Sequence, residues 1–579
     1  MFSRFVAFTS LGRTALPNQY DIFAFGVIIA SFVAIGHASH GLNIPLAVPE
    51  ATAVSLDYSQ LPYYALRTVL RMFAAMAASL FFTFTYATLA AKSRRAGILL
   101  IPLLDVLQSV PILGFLSFTV TFFLGLFPGS ILGAECAAVF AIFTSQAWNM
   151  AFSFYQSLRN VPRDLSEVAR GFGLSRWQCF WQLETPFAVP GLIWNMMMSM
   201  SGGWFFVVAS EAIAVGDTTI KLPGIGSYIA LAIEQKNIVA VFAAIITMLA
   251  VIIAYDQLLF RPLVAFGARF RVELSAGQMQ EKSIVGQAFA RTRWLRALIR
   301  GPARLLKAIA LLRLDLPARP HAPPSRRSRA LSRLLDLLWL FVIAAGAIWA
   351  FWLIADYIGQ ELGLSEVLRS IIYTLFTMTR VGLLMALATL VWVPAGVWIG
   401  LRPALAEKVQ PLAQFLAAFP ANVLFPVVVM LIVRYSLNPD IWLSFLIIFG
   451  TQWYILFNVI AGASAFPNDL KETVANFRIR GLSWWKNVII PGIFPYYVTG
   501  ALTASGGSWN ASIVAEYVRW GDDVVSAHGI GAYIAEATVN GDYPKIVLGV
   551  AVMSAFVTLF NRLLWRPLYG LAEKRCRLD

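Results

Sequence analysis

The chain has 579 residues, of which 59% are hydrophobic and only 13% charged, with a mean hydropathy of +0.71. Soluble domains run at about half apolar and a quarter charged, which excludes an ordinary soluble protein. The net charge of +15 is unevenly placed: residues 1–260 hold 13 basic and 12 acidic side chains, residues 261–335 hold 16 and 3, and residues 336–579 hold 16 and 15. Two nearly neutral apolar halves joined by a basic connector describe a polytopic membrane protein, and they remove the case for nucleic acid that such a surplus would otherwise make.

In chain order, stretches with the roughly 20 apolar residues that a bilayer needs fall at 21–38, 62–90, 98–124, 132–157, 187–210 and 237–260, then at 334–356, 367–400, 409–433, 440–464, 492–515 and 544–563. The pattern is six plus six. The first stretch lacks a small-residue cleavage site and reads as a retained span. Arg4 and Arg13 precede it, Lys92, Arg94 and Arg95 follow the second, and Arg159, Arg163, Arg170 and Arg176 lie between the fourth and fifth. The positive-inside rule expects all of these, and the basic connector, on the cytoplasmic side; Glu211, Asp217 and Glu234 then face the other way. Six is even, so both halves enter the membrane with one orientation, as a parallel repeat requires.

The halves read as copies. An offset of 305 relates Glu211 to Glu516, Gly216-Asp217 to Gly521-Asp522, Gly224-Ile225-Gly226 to Gly529-Ile530-Gly531, and Arg261-Pro262-Leu263 to Arg566-Pro567-Leu568. Upstream, Arg71, Pro102 and Pro111 stand 309 before Arg380, Pro411 and Pro420. Ser201-Gly202-Gly203 is read as the counterpart of Ser505-Gly506-Gly507.

Between the fourth and fifth spans sits a loop with its own helical pattern. Pro162 suits a helix start, and Asp164 and Glu167 put negative charge near the positive helix end. Leu165, Val168, Ala169 and Phe172 recur at helical spacing as one apolar face, Gly171 and Gly173 permit a sharp turn, and Ser175 caps a second helix running to Pro186. Such a face needs something to bury against.

This loop resembles the EAA signature of permease subunits in bacterial ABC importers: Glu167, the small Ala169, Gly173 six on from the glutamate and Pro186 nineteen on fit its places. The second copy has Glu472, Ala475 and Pro491, again nineteen from Glu to Pro, but carries Arg478 where the glycine belongs, with Gly481 three later. The chain looks most like the duplicated permeases of the nitrate, sulfonate and bicarbonate group. That resemblance implies an all-α polytopic membrane protein with twelve transmembrane helices, as two tandem six-helix type I ABC importer permease domains. They would occupy 1–263 and 334–579 around a cytoplasmic linker at 264–333, in a bacterial inner membrane with both termini cytoplasmic. Glu167, Ala169, Gly173, Pro186, Glu472, Ala475, Arg478 and Pro491 would couple to two ATPase subunits, identical or related, which carry the ATP and Mg. A periplasmic solute-binding protein would deliver a small anion for alternating access. This chain has no G-x-x-x-x-G-K-[ST] phosphate loop, so no enzymatic activity of its own is expected. Cys136, Cys179, Cys576 and four scattered histidines give no disulfide or metal pattern.

Intramembrane charges are costly and default to function. Arg71 and Arg380, near the outer ends of their spans, either draw in an anion or snorkel to headgroups; Glu211 and Glu516 either pair with them, gate the outer side or are solvated there. Ser201, Gly202, Gly203, Ser505, Gly506 and Gly507 suit close packing or backbone exposure to a solute. Their flanks differ: Met196, Met197, Met198, Met200 and Trp204 in one half, Thr499, Thr503, Ser508 and Asn510 in the other, an apolar wall facing a polar one. The Gly-Ile-Gly loops read as an exposed docking surface for a binding protein. In the linker, Arg291, Arg293, Arg296 and Arg300 among Trp294, Leu295 and Leu298 suit an anionic lipid surface. A secondary transporter is the rival reading, since parallel repeats also occur there; a membrane enzyme lacks any repeated catalytic cluster.

Overall fold

The computed structural model describes residues 54–215, 218–267, 270, 301, 304–305, 307–313, 326–466 and 468–575. The expected first span, Arg4, Arg13, Gly216-Asp217, Cys576 and most of the linker lie outside them. The first repeat comprises α1 (Leu61–Lys92), α2 (Arg94–Ser109), α3 (Ile112–Leu126), α4 (Ile131–Arg159), α5 (Arg163–Gly171), α6 (Arg176–Cys179) and α7 (Thr185–Glu211). After these come the hairpin β1 (Ala212–Val215) and β2 (Thr218–Lys221), then α8 (Ile225–Glu234), α9 (Ile238–Tyr255) and α10 (Arg261–Gly267). The second repeat begins with α11 (Arg326–Glu361), α12 (Leu364–Gly400), α13 (Pro403–Ala418), α14 (Phe425–Tyr435), α15 (Pro439–Phe449) and α16 (Gln452–Ser464). It continues through α17 (Asn468–Asn476), α18 (Gly481–Trp484), α19 (Ile490–Ala515), the hairpin β3 (Tyr517–Trp520) and β4 (Asp523–Ser526), α20 (Ile530–Val539), α21 (Tyr543–Phe560) and α22 (Arg566–Arg575).

Among the described residues, eight helices are long and apolar enough to cross a membrane, or ten if each of two bent pairs counts as one span. Large apolar side chains stay uncovered on these helices, as on α11, where Phe341, Trp349 and Phe351 are 64–73% exposed. Water does not tolerate an apolar surface of that extent; lipid does. The polytopic, helical expectation therefore holds, with three departures from straight spans among the described residues. The stretch 98–124 is two helices, α2 and α3, and 409–433 is α13 and α14, bent by 76°. Pro111 and Pro420 are the cause: the residue before a proline is pushed out of the helical region, and Val110 and Phe419 take ψ of 126° and 127°. The stretch 440–464 is also bent, by 41°, where α15 gives way to α16.

A second proline effect recurs four times. Phe180–Glu184, Asp256–Phe260, Trp485–Ile489 and Asn561–Trp565 are wide π-turns, and each ends two residues before a proline: Pro186, Pro262, Pro491 or Pro567. Proline has no N–H to donate and its ring crowds the carbonyl four residues back. Widening the turn relieves both, so the residue before each proline donates to a carbonyl five back, as Thr185 does to Phe180 and Ile490 to Trp485.

By packing, the chain divides into one unit of residues 1–40, 160–193 and 255–319 and another of 41–159, 194–254 and 320–579. In the smaller unit, a described stretch of the linker meets α6: Trp177 Nε1 donates to the Ile309 carbonyl at 2.7 Å and Gln178 Nε2 to that of Leu311 at 2.8 Å. In the larger unit, α1 packs on α4, α16 on α19, α12 and α13, and α3 of the first repeat packs on α19 and α21 of the second. Each hairpin is antiparallel, Ala212 pairing with Lys221 and Tyr517 with Ser526. It returns the chain to a short buried helix, α8 or α20.

The Gly-Ile-Gly motif opening α8 and α20 has a packing cause. A Cβ on Gly224 would fall on the Glu211 carboxylate, and one on Gly226 on the Val208 carbonyl; Gly529 and Gly531 meet Glu516 and Ser512 in the same way. Ile225, Gly226, Ser227 and Tyr228 are buried, as are Ile530, Gly531 and Ala532. These loops are therefore interior, and the exposed docking surface expected of them is not there. Gly224→Ala or Gly529→Ala should lower the thermal unfolding midpoint of the purified protein by several degrees. Gly125→Ala, with nothing near the new methyl, should leave it unchanged.

Candidate functional site

Glu211 ends α7 with no exposed surface. Thr68 Oγ1 donates to its Oε1 at 2.6 Å, Arg71 Nη1 to the same oxygen at 2.7 Å, and the Gly226 amide to Oε2 at 2.7 Å. The carboxylate thus sits at the first turn of α8, where unsatisfied amides and the helix dipole favour negative charge. Thr68 also accepts from the Ile225 amide at 3.1 Å, and Arg71 Nη1 donates to the Pro223 carbonyl at 3.0 Å. A second carboxylate completes the cluster: Glu135 takes Arg71 Nε at 2.6 Å, Arg71 Nη2 at 2.7 Å and Arg67 Nη2 at 2.8 Å. Two guanidinium groups face two carboxylates, so the cluster is neutral overall.

The second repeat rebuilds it with one arginine fewer, Phe376 standing 309 after Arg67. Glu516 accepts from Thr377 Oγ1 at 2.8 Å, Arg380 Nη1 at 2.7 Å and the Gly531 amide at 2.8 Å. Arg380 Nη2 reaches the His528 carbonyl and Asp440 Oδ1, both at 3.0 Å. Exposure distinguishes the copies: the Arg71 and Glu135 side chains are 3% and 8% exposed, those of Arg380 and Asp440 13% and 40%. Arg71 does not snorkel outward. Its donors are engaged by carboxylates of its own repeat, and the Arg380 guanidinium is held in the same fashion.

The fifth-span residues lie where the repeats meet within the larger unit. Ser201 is buried; its Oγ donates to the Ala417 carbonyl and accepts from Tyr454 OH. That carbonyl is one of the last of α13, whose own helical partners end at the Pro420 break. Trp194 stacks on Phe457 with ring centroids 5.4 Å apart, over a cluster of Ala406, Ala413 and Ile460. Met196, Met197 and Met200 are buried. On α19 the face is open instead: Thr499 and Gly506 are exposed, and a Cβ on Gly506 would meet nothing. Asn510 Oδ1 receives the Ile112 amide that starts α3, at 2.8 Å. The bulky wall is packed shut, whereas the polar one is open at Thr499 and Gly506, partly covered at Thr503 and Asn510 and buried at Ser508.

The two Ser-Gly-Gly stretches are not true counterparts. They stand 304 apart, whereas Trp204 and Trp509, both almost wholly buried, stand 305 apart like the residues around them. A continuous helix admits no one-residue slip, so Gly202 matches Gly507, Gly203 matches Ser508, and Ser201 matches Gly506. Gly203 and Ser508 then face equivalent neighbours, Gln146 and Thr451. Gly507 also approaches Thr451, and Ser505 is buried. The other fourth-span polar groups bond helices: Gln108 Nε2 donates to Asn149 Oδ1 at 2.9 Å and Trp392 Nε1 to Gln452 Oε1 at 2.9 Å.

In the first Glu-to-Pro loop, α5 ends in a left-handed turn at Gly173 (φ +63°): the Leu174 amide donates to the Ala169 carbonyl at 3.1 Å and that of Gly173 to Arg170 at 2.9 Å. The Ser175 side chain and Gln178 then form a capping box. Glu167 is exposed, Ala169 is buried, and Leu165, Val168 and Phe172 are 37%, 54% and 78% exposed. The second loop keeps the turn although its residue differs. Arg478 adopts φ +52°, and the Ile479 amide donates to Val474 at 3.1 Å. A non-glycine residue there costs about 1–2 kcal/mol, yet the turn is retained without the signature's glycine. Glu472 and Arg478 are exposed, as are Phe477 at 75% and Leu482 at 87%. Ala475 lies in α17, and Pro186 and Pro491 follow their π-turns.

Glu135 and Asp440 were not singled out in the sequence, yet they stand 305 apart, the interval of the surrounding repeat. That spacing was the available signal. Among the described residues no group of His, Cys, Asp and Glu is arranged to hold a metal ion.

A helical membrane protein built from two copies of one unit, each with a buried carboxylate clasp and an exposed Glu-to-Pro loop, defines a duplicated permease class. The chain belongs to the family described as binding-protein-dependent transport system inner membrane component, which matches it twice, at residues 83–260 and 392–575. Among curated relatives, the bicarbonate transport system permease protein CmpB of Synechococcus elongatus is 29% identical over 189 residues, 33% of this chain and 65% of that protein. The nitrate import permease protein NrtB of Leptolyngbya laminosa is 25% identical over 187 residues, 32% of this chain and 63% of the relative. The glycine betaine/proline betaine permease protein ProW of Escherichia coli is 30% identical over 137 residues, 24% and 36% of the two chains. The chain thus spans about 65% of the length of the first of these relatives.

Breaking a buried pair strands the remaining charge, at about 3–5 kcal/mol, whereas a hydrated pair contributes under about 1 kcal/mol. Glu135→Gln should therefore abolish or strongly depress the yield of folded protein, while Asp440→Asn should shift the unfolding midpoint only slightly. Equal losses would show that the two clasps share one environment.

Proposed function

We propose that this chain is the membrane-spanning subunit of an ATP-driven ABC importer for a small anion, hydrogencarbonate or nitrate in the first place. The observation that carries the reading is the pair of Glu-to-Pro loops, which keep one left-handed turn at Gly173 and Arg478 and leave Phe172 and Phe477 more than 70% exposed. An apolar surface on a charged loop calls for a protein partner, and ATPase subunits fit that need; they supply ATP and Mg. The family's description supports dependence on a solute-binding protein, and the bicarbonate and nitrate relatives support the anion.

In this reading the protein sits in the bacterial inner membrane with loops, linker and both termini in the cytoplasm, and the hairpins towards the periplasm. The linker's basic stretch lies on anionic lipid. Residues 1–263 and 334–579 act as the two moving bodies. Closure of two ATPase subunits pulls on α5 and α17, and α7 and α19 carry the movement to the clasps at their far ends. Glu211 and Glu516 keep each hairpin and short helix attached to that movement, a positioning role for Arg71 and Arg380. Solute passes beside the open face of α19, past Gly506 and Asn510, while Ser201 belongs to the sealed wall. Between the halves, Lys236 Nζ meets Asp523 Oδ2 at 3.0 Å, a contact that opening towards the periplasm would break.

Replacing Phe172 and Phe477 together by Ser should weaken ATPase capture by about thirtyfold, the loss of a 2 kcal/mol hot spot, with little change in thermal unfolding. Glu167→Ala with Glu472→Ala should depress anion uptake in cells. Uptake that follows an ion gradient and ignores ATP would make the chain a secondary transporter instead.

A further inference from the structure

The larger unit holds a cavity of about 330 Å³, open to the outside, between the repeats, bordered by α3, α7 and α8 of the first and by α14, β3 and α20 of the second. Every described first-repeat residue that lines it is apolar or glycine, for example Val208, Ala209 and Ile229. The second repeat adds polar groups: Asn422, Tyr517, Thr538 and Arg519. Among the described lining residues, Arg519 alone is charged. On β3 it lies two residues from Tyr517, so both project from one face of the strand, and Val518 and Trp520 are buried on the other. Tyr517 steadies the guanidinium: Arg519 Nη2 donates to its hydroxyl at 3.1 Å, and the guanidinium carbon lies 5.7 Å from its ring centroid. Among the described residues Arg519 forms no ion pair, in contrast to Arg71 and Arg380. The matching position of the first repeat, 305 earlier, is Ala214.

We propose that Arg519 selects the transported solute, recognising a small planar oxyanion in this cavity; the inference rests on the anion-import reading above. A guanidinium presents parallel N–H donors that match two oxygens of such an anion. The apolar first-repeat wall offers a cation no polar partner, and the exposed Arg519 side chain is accessible to an incoming anion. Selection then comes from one repeat. The arginines of the clasps are already held by carboxylates and take no part in it.

The test uses the full chain in cells with its ATPase and binding protein, following uptake of labelled hydrogencarbonate and labelled nitrate. Losing a charged hydrogen-bond donor pair should cut uptake at low concentration by about ten- to a hundredfold. Arg519→Gln should show that loss as a raised KM at normal abundance in the membrane, and Arg519→Lys should recover part of it. If the native chain takes up an anion and Arg519→Gln matches it, the assignment of Arg519 falls alone. If the native chain takes up neither anion, the anion reading falls with it. Loss of binding-protein capture in Arg519→Gln would make the residue a docking contact and overturn its role in selection.

Discussion

A carboxylate held under the first turn of a short helix sets the terms for one end of each repeat. Glu211 and Glu516 are wholly buried, and a buried charge persists only when it is neutralised and hydrogen-bonded. The surrounding residues follow from that demand. Glycines 224 and 529 leave room for the carboxylate, since any Cβ would strike it. Thr68 and Thr377 link it to the next amide, and Arg71 and Arg380 cancel its charge. The arginine then needs a second partner, which α4 supplies as Glu135 and α15 as Asp440. One charge thus joins the ends of α1, α4, α7 and α8 into a block.

Proline governs the rest of the backbone. Where it follows an extended residue, as at Pro111 and Pro420, a span breaks and exposes orphan amides and carbonyls that the other repeat satisfies, through Asn510 for Ile112 and Ser201 for Ala417. At Pro186, Pro262, Pro491 and Pro567 the turn before the proline widens instead and the helix continues. The first behaviour creates the surface on which the repeats meet; the second keeps α7 and α19 continuous with the turns that precede them.

Much of this was legible in the amino-acid order. Hydropathy located the long helices, and constant spacing identified the duplication, because polar loop residues have little reason to recur by chance at one interval. The Ser175 cap and the turn after α5 followed from local chemistry. Other features needed coordinates. Hydropathy averages over a proline, so α2 and α3 read as one span. Three small residues in a row looked like an anchor for alignment, but helical continuity and the buried Trp204 and Trp509 set the register one residue away. The Gly-Ile-Gly loops read as exposed because glycine commonly signals a turn; here it signals a neighbour too close for a methyl group. Arg478 shows the complementary point: a left-handed turn closed by the backbone hydrogen bond from Ile479 to Val474 forms even without glycine, just as Lys236 (φ +51°) stands where the other repeat has Gly541 (φ +67°).

The contact of Ser201 with Tyr454 and Ala417 has no twin: the matching positions hold Gly506, Asn149 and Gln108, and there Asn149 and Gln108 bond each other. In an isologous homodimer every contact occurs twice, so a plug that seals one wall would seal the other as well. A gene fusion removes that obligation. Once both copies lie on one polypeptide, one can drift towards being a gasket while the other remains the lining of a channel, and mutations in each are judged separately by selection.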